Sequence, residues 1–173
     1  MKFKLAFCAA ALCASQLALA ADPVITMRSV DEKGVGATVG KVTVTKSKYG
    51  LVFTPELKGL APGVHGFHVH ENASCDPKMV DGKMEAAGAA GDHYDPLKSG
   101  VHGTAWGSGH RGDLPAVYVD ASGNANQPVL SPRLKINELK GKSLMLHAGG
   151  DNHSDHPEKA GGGGARMVCG VIS

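Results

Sequence analysis

The stretch Gly66-Phe67-His68-Val69-His70 decides how the whole chain is read. Phe67 and Val69 are residues that favour strands, and the two histidines alternate with them. Successive side chains of an extended chain point to opposite faces. Both imidazoles therefore share one face, and the two apolar side chains share the other. Two imidazoles on one face can hold one metal ion. Taken alone, a His-x-His pair is an ordinary strand feature, so the remainder of the chain must say whether it does more.

Working outward, the β-forming stretches are short and separated by turn residues. They fall at 24–30, 40–45, 51–54, 64–70, 116–119, 127–130, 143–147 and 166–172. One helical turn is expected near 136–139, and no amphipathic helix of useful length or internal repeat is present. Low aromatic content, 5%, and 24 glycines fit a chain of turns and strands. The expected fold is all-β: an eight-stranded antiparallel Greek-key sandwich or flattened barrel. Two long glycine-rich segments interrupt it, at 71–114 and 148–164. A structureless run of such length inside one domain is expected only where it carries function. Both are read as loops that build a site.

The first residues belong to something else. Lys2 and Lys4 precede an apolar run, and Ala18-Leu19-Ala20 follows. That is the pattern of a secretory signal peptide over residues 1–20, leaving a domain of 21–173 and an exported location. The apolar run is too short for a membrane anchor, since a span needs about 20 apolar residues. Removing Lys2 and Lys4 from the 18 basic residues leaves 16, equal to the 16 acidic ones. A balanced domain gives no case for nucleic-acid binding. Cys8 and Cys13 leave with the leader, so Cys75 and Cys169 remain as an even pair in an oxidising compartment.

All nine histidines lie between His65 and His156. His68 and His70 end one strand and His147 ends another. His93, His102 and His110 sit in the first long loop, with Asp113 three residues after His110. Imidazole suits copper and zinc, and a mixed imidazole–carboxylate set suits zinc. Seven candidate ligands exceed one tetrahedral site, so two neighbouring sites with one shared residue are expected. No Cys-x-x-Cys is present, which excludes a thiolate zinc finger. His65 has the opposite parity to His68 and His70 and is read as a structural hydrogen-bonding residue. His153, His156 and Asp155 are read as a solvated loop in preference to an extra metal-capture site. Gly161-Gly162-Gly163-Gly164 is read as a flexible stretch lining a channel, since no P-loop lysine accompanies it. Lys78 and Lys83 are read as solvated charges. Trp106 is open between an interface anchor and loop packing.

Five motifs in order carry a resemblance over about residues 24–173. They are Gly66-Phe67-His68-Val69-His70-Glu71-Asn72, Gly91-Asp92-His93-Tyr94-Asp95-Pro96, Gly109-His110-Arg111-Gly112-Asp113-Leu114-Pro115, His147-Ala148-Gly149-Gly150-Asp151-Asn152, and the four glycines with Arg166 and Cys169-Gly170-Val171-Ile172. The set resembles the Cu,Zn superoxide dismutase family, in its bacterial exported branch. The resemblance implies one copper on His68, His70, His93 and His147, and one zinc on His93, His102, His110 and Asp113. His93 would bridge the two metals. Asp151 would link a copper-side and a zinc-side imidazole, and Arg166 would stand at the channel mouth as a catalytic residue with His93. Cys75 and Cys169 would form a disulfide. The implied reaction turns superoxide into dioxygen and hydrogen peroxide, with no stable membrane anchor and a homodimer left open.

Two departures from the family pattern stand out. Asp92 occupies a place where glycine is usual, and Val101 and Gly103-Thr104-Ala105 differ from the usual surroundings of the second zinc ligand. An Asp there is expected to take up the unusual backbone angles that glycine would adopt. Two competing functions share the same residues. A metal scavenger would need no Arg166, and a zinc hydrolase would need an open zinc position and a general base.

Overall fold

The structure is a computed structural model that describes residues 22–173. The expected signal peptide, with Cys8 and Cys13, lies outside the described residues. Among those described, no helix is long and apolar enough to cross a membrane.

Three long strands form a meander: β1 (Val24–Asp31), β2 (Gly34–Ser47) and β3 (Gly50–Leu57). Asp31 makes the first turn, its Oδ1 accepting from the backbone N–H of Lys33 at 2.7 Å and of Gly34 at 3.1 Å. The opening stretch follows as β4 (Gly63–His65) and β5 (Phe67–His70), two halves of one strand that part at Gly66. After a small hairpin, β6 (Lys78–Val80) and β7 (Lys83–Glu85), come β8 (Val117–Val119) and β9 (Val129–Ser131). Then follow the single helical turn α1 (Ile136–Leu139), β10 (Lys142–His147) and β11 (Arg166–Ile172). With β4 and β5 counted as one, the barrel has the eight expected strands. The hairpin is extra.

The main sheet runs β5-β10-β11-β1-β2-β3-β9, all antiparallel. From β3 the chain crosses to the far edge to form β5, and from β9 it crosses back to form β10. These long crossings are the Greek-key signature. β4 leaves that sheet to pair with β8, so one strand stitches both parts of the barrel together.

The alternation expected of β5 holds. Phe67 and Val69 enter the main core with Ile25, Val42, Phe53, Leu144 and Leu146. Phe67 meets Phe53 edge-on at 6.1 Å. His68 and His70 point the other way. All four residues are nonetheless buried, because the loops cover the outer face.

That cover is built from backbone. One edge of β5 pairs with β10. The other edge receives the first long loop: Val69 N–H donates to Gly112 O, Tyr94 N–H to Val69 O and Leu114 N–H to Phe67 O, at 2.8–3.2 Å. A strand edge would otherwise present unpaired groups to water. Here the loop takes them up, and so His93 and Asp113 arrive beside His70 and His68. A disulfide joins Cys75 to Cys169 across 94 residues, tying the loop to β11. Closing a loop of that length stabilises by roughly 4–5 kcal/mol in the chain-entropy account.

The first loop is less irregular than its composition implies. The β6–β7 hairpin turns at Asp81-Gly82, both with positive φ, 48° and 79°. Asp-Gly is the sequence signal for such a turn, but the flanking strands are only three residues long, and Lys78-Met79-Val80 does not alternate in polarity. The tetraglycine packs at one end and lines the cleft at the other: Gly161 is buried with φ of 72°, a Cβ there would lie 2.0 Å from Asp151 Oδ1, and Gly164 is exposed in the cleft with Arg166.

Candidate metal centre

Two clusters of buried ligand atoms form against the outer face of β5. His68, His70, His93 and His147 bring one ring nitrogen each within 4.8 Å of one another, and so do His68, His93, His102 and the carboxylate of Asp113. His110 joins the second cluster, with Nδ1 3.3 Å from Asp113 Oδ1. The seven residues singled out from sequence are thus all brought together, from two strands and one loop.

Hydrogen bonds decide which nitrogen of each ring is free. His70 Nδ1 donates to Gly91 O at 2.9 Å, and His147 Nδ1 donates to Gly164 O at 3.1 Å. In a neutral imidazole the other nitrogen then carries a bare lone pair. Those two Nε2 atoms face each other at 3.4 Å. His68 is turned over: its Nε2 donates to Asp151 Oδ2 at 2.8 Å, and its buried Nδ1 has no partner. Three lone pairs converging on one point repel unless a cation lies among them. Burial holds His68 and His70 well below the ordinary histidine range and lowers His147 to about 4. These rings are neutral at pH 7, the form that binds metal.

The second cluster is built around a carboxylate. Asp113 Oδ1 has His93 Nδ1 at 3.0 Å, His102 Nδ1 at 3.1 Å and His110 Nδ1 at 3.3 Å. Two lone pairs do not serve three N–H donors, and His102 Nδ1 lacks the alignment of a hydrogen bond. The spacing instead matches the edges of a tetrahedron with metal–ligand arms of about 2.0 Å, whose edge is about 3.3 Å. Oδ2 of Asp113 is occupied by the Gly103 N–H at 2.9 Å. Burial opposes charging of His102, yet the carboxylates of Asp113 and Asp151, one beside each ring nitrogen, outweigh that and hold its pKa up at about 9. The Asp113 hydrogen bond likewise raises His110. Burial opposes ionisation of Asp113 itself, but three imidazoles hold it far below the usual carboxylate range. The donor sets thus fit a copper ion in the first cluster and a zinc ion in the second.

Asp151, fully buried, connects the two. Its Oδ2 accepts from His68, and its Oδ1 accepts from His102 Nε2 at 2.8 Å. His93 belongs to both clusters and lies flat against His68, ring centres 3.9 Å apart. Arg166 lines a cleft with His70, His93 and His147.

Residues 38–172 match the family described as Copper/zinc superoxide dismutase (SODC). The chain belongs to the copper/zinc superoxide dismutase family. It is 51% identical to Superoxide dismutase [Cu-Zn] of Haemophilus parainfluenzae, over 99% of this chain and 98% of that one. Among solved structures it is similar to the Cu/Zn superoxide dismutase from Brucella abortus, with TM-score 0.87, 47% identity, and 88% of this chain and 100% of that chain covered. The monomeric copper, zinc superoxide dismutase from Salmonella enterica is also similar, with TM-score 0.79, 49% identity, and 88% and 100% covered.

Within this dismutase fold several expectations are met and others change. His65 is structural as expected: it is buried, with Nδ1 2.9 Å from His147 O and Nε2 2.9 Å from Ala61 O. Asp92 does not take the left-handed backbone expected of it. Gly91 does, with φ of 76°, and a Cβ there would press within 2.9 Å of Asn72 and Glu71. The unusual angles fall one residue earlier, so Asp92 costs no backbone strain. His153 is not simply solvated: it is half-buried, its Nδ1 is 3.5 Å from Asp151 Oδ1, and its ring stacks toward His102. His156 is exposed as expected. Lys78 and Lys83 are exposed, and Trp106 is 69% exposed.

One supporting residue escaped the sequence reading. Arg133 reaches into the segment that departs from the family pattern and donates to the carbonyls of Thr104, Ala105, Gly109 and His110 at 2.6–3.4 Å. It fixes the backbone between His102 and His110. Asp155 adds a second anchor, accepting from His102 N–H at 2.8 Å. Nothing in the sequence pairs Arg133 with a stretch more than twenty residues earlier.

Proposed function

We propose that this chain dismutates superoxide outside the cytoplasm. His68, His70 and His147 hold copper, His102, His110 and Asp113 hold zinc, and His93 lies between them as a shared ligand. The observation that carries this reading is the 3.4 Å approach of His70 Nε2 and His147 Nε2, whose other nitrogens are both committed to carbonyls. Bound copper supplies a one-electron redox couple, while zinc, which has none, supplies fixed charge and geometry.

The chain's residues do the rest. Arg166 offers N–H donors and a positive charge to a small anion entering the cleft. His93 Nδ1 is turned to Asp113, which leaves Nε2 for the copper side and for a proton during turnover. Asp151 keeps His68 and His102 in the tautomers that present Nδ1 inward. Both clusters draw on one chain, which supports a complete site in a single subunit, as the monomeric relative from Salmonella enterica has. The signal-peptide pattern of residues 1–20 supports export. Mass spectrometry of the periplasmic protein is expected to find a chain beginning at Ala21.

The deciding experiment is pulse radiolysis of the mature protein loaded with both metals. Superoxide decay is expected to be catalytic in protein. Decay at the spontaneous rate, with both metals bound, would overturn the proposal.

A further inference from the structure

Arg166 is held from three sides. Its Nη1 donates to Ala87 O at 2.7 Å and its Nη2 to Gly91 O at 2.8 Å, and its Nε lies 3.3 Å from Glu85 Oε1. A guanidinium has five N–H groups. Two are committed to carbonyls, and Nε faces the Glu85 carboxylate in an ion pair. The side chain is only 10% exposed, whereas that of Glu85 is 40% exposed.

The two carbonyls suffice to orient the Nη edge, so the carboxylate adds something else. Glu85 closes β7 in the hairpin that sequence did not anticipate, opposite the exposed Lys78. It lines the same cleft as His70, His93, His147 and Arg166. So does Asp92, whose charge also bears on Arg166. Before any metal is counted, that cleft holds three carboxylates, Glu85, Asp92 and Asp155, against two cations, Lys159 and Arg166. For a protein whose proposed substrate is an anion, this balance is adverse.

We propose that Glu85 is a positioning residue whose carboxylate draws the Arg166 guanidinium toward it as an ion pair at Nε and, together with Asp92, offsets its charge, so that capture of a small anion runs below what Arg166 alone would support. The inference rests on the dismutase reading for its substrate. The geometry on which it stands is independent of turnover. The carboxylates are solvent-facing, so their effect is screened by salt over a Debye length of about 10 Å at 0.1 M.

Glu85→Gln separates the two roles, because the amide keeps the side chain's size and an oxygen facing Nε while removing the charge. In the copper- and zinc-loaded protein, azide serves as the small-anion probe, its affinity read from the copper absorption band. Glu85→Gln is expected to bind azide about two- to fivefold more tightly at low ionic strength and to raise the second-order rate constant with superoxide by a similar factor. Both gains are expected to shrink above about 0.2 M salt. Asp92→Asn is expected to add a second, smaller gain. Glu85→Ala, which frees the guanidinium as well, is expected to fall below Glu85→Gln in both readouts. Azide affinity identical to wild type at every ionic strength in Glu85→Gln would overturn the charge role. Glu85→Ala matching Glu85→Gln would overturn the positioning role. If the wild type binds azide but does not turn over superoxide, the dismutase reading fails while the azide titrations still decide Glu85.

Discussion

The two imidazole clusters lie within a few ångströms of each other and respond to burial in opposite ways. His68, His70 and His147 are desolvated, only His68 has a carboxylate partner in Asp151, and burial outweighs it, so their proton affinity falls. His102 is equally buried by area but has Asp113 and Asp151 at its two nitrogens, and its pKa rises to about 9. The same residue type becomes a neutral ligand on one side and a proton-holding partner on the other. What differs is the placing of two aspartates. Metal-free protein is therefore held together by charge on the zinc side, while the copper side is held by packing around lone pairs that lack a partner.

The contrast between the clusters breaks most sharply at Asp113. Structural zinc sites release about 10–16 kcal/mol over four ligands, so losing one ligand removes roughly 3–4 kcal/mol, about 10³-fold in affinity. Asp113→Asn is expected to lower zinc affinity by that amount in chelator competition and to change copper affinity less than tenfold. Equal losses for both metals would mean that the clusters are one unit.

A slightly smaller effect follows from acidification of the metal-free protein. His147 has a folded pKa of about 4, below the unfolded value near 6.5. Its contribution is intact above pH 6.5 and is lost as pH falls from 6.5 through 4, by about 3 kcal/mol. His102 has the reverse sign. With a folded pKa of about 9, its contribution is complete below pH 6.5 and fades as pH rises through 9. Urea denaturation across pH 4–9 is expected to show a stability maximum near neutrality. A flat profile between 4 and 6.5 would contradict the burial of neutral rings.

The smallest effect is expected where the halves join. Asp151→Asn leaves a single carbonyl oxygen for two imidazole donors, His68 and His102. Outer partners of this kind are worth about 10–100-fold in metal affinity. Both metals are expected to weaken within that range, read by the same competition assay, and loss of only one would show which ring the substituted amide retains.

Much of this site was legible because ligand chemistry is written in residue type. His68 and His70 share a face by parity alone, and β5 bears that out. The eight strands also follow from short β-rich runs and turn residues. Less legible was the hairpin at 78–85, whose strands are only three residues long. Its unanticipated presence brings Glu85 to Arg166. The left-handed position was placed at Asp92 because that residue differs from the family pattern, whereas the contacts of Asn72 and Glu71 put it at Gly91.

The sequence by itself determined which atoms are able to bind metal, which histidine faces away from them, and that two cysteines remain once the leader pattern is set aside. Periodicity and donor chemistry are local properties, so they survive without coordinates. Only the tertiary structure decided which nitrogen of each ring is bare. That choice is made by distant acceptors: Gly91 for His70, Gly164 for His147 and Asp151 for both His68 and His102. The same holds for the burial that neutralises one cluster and the carboxylates that charge the other. Desolvation and electrostatics depend on distance through space, and no spacing along the chain records it.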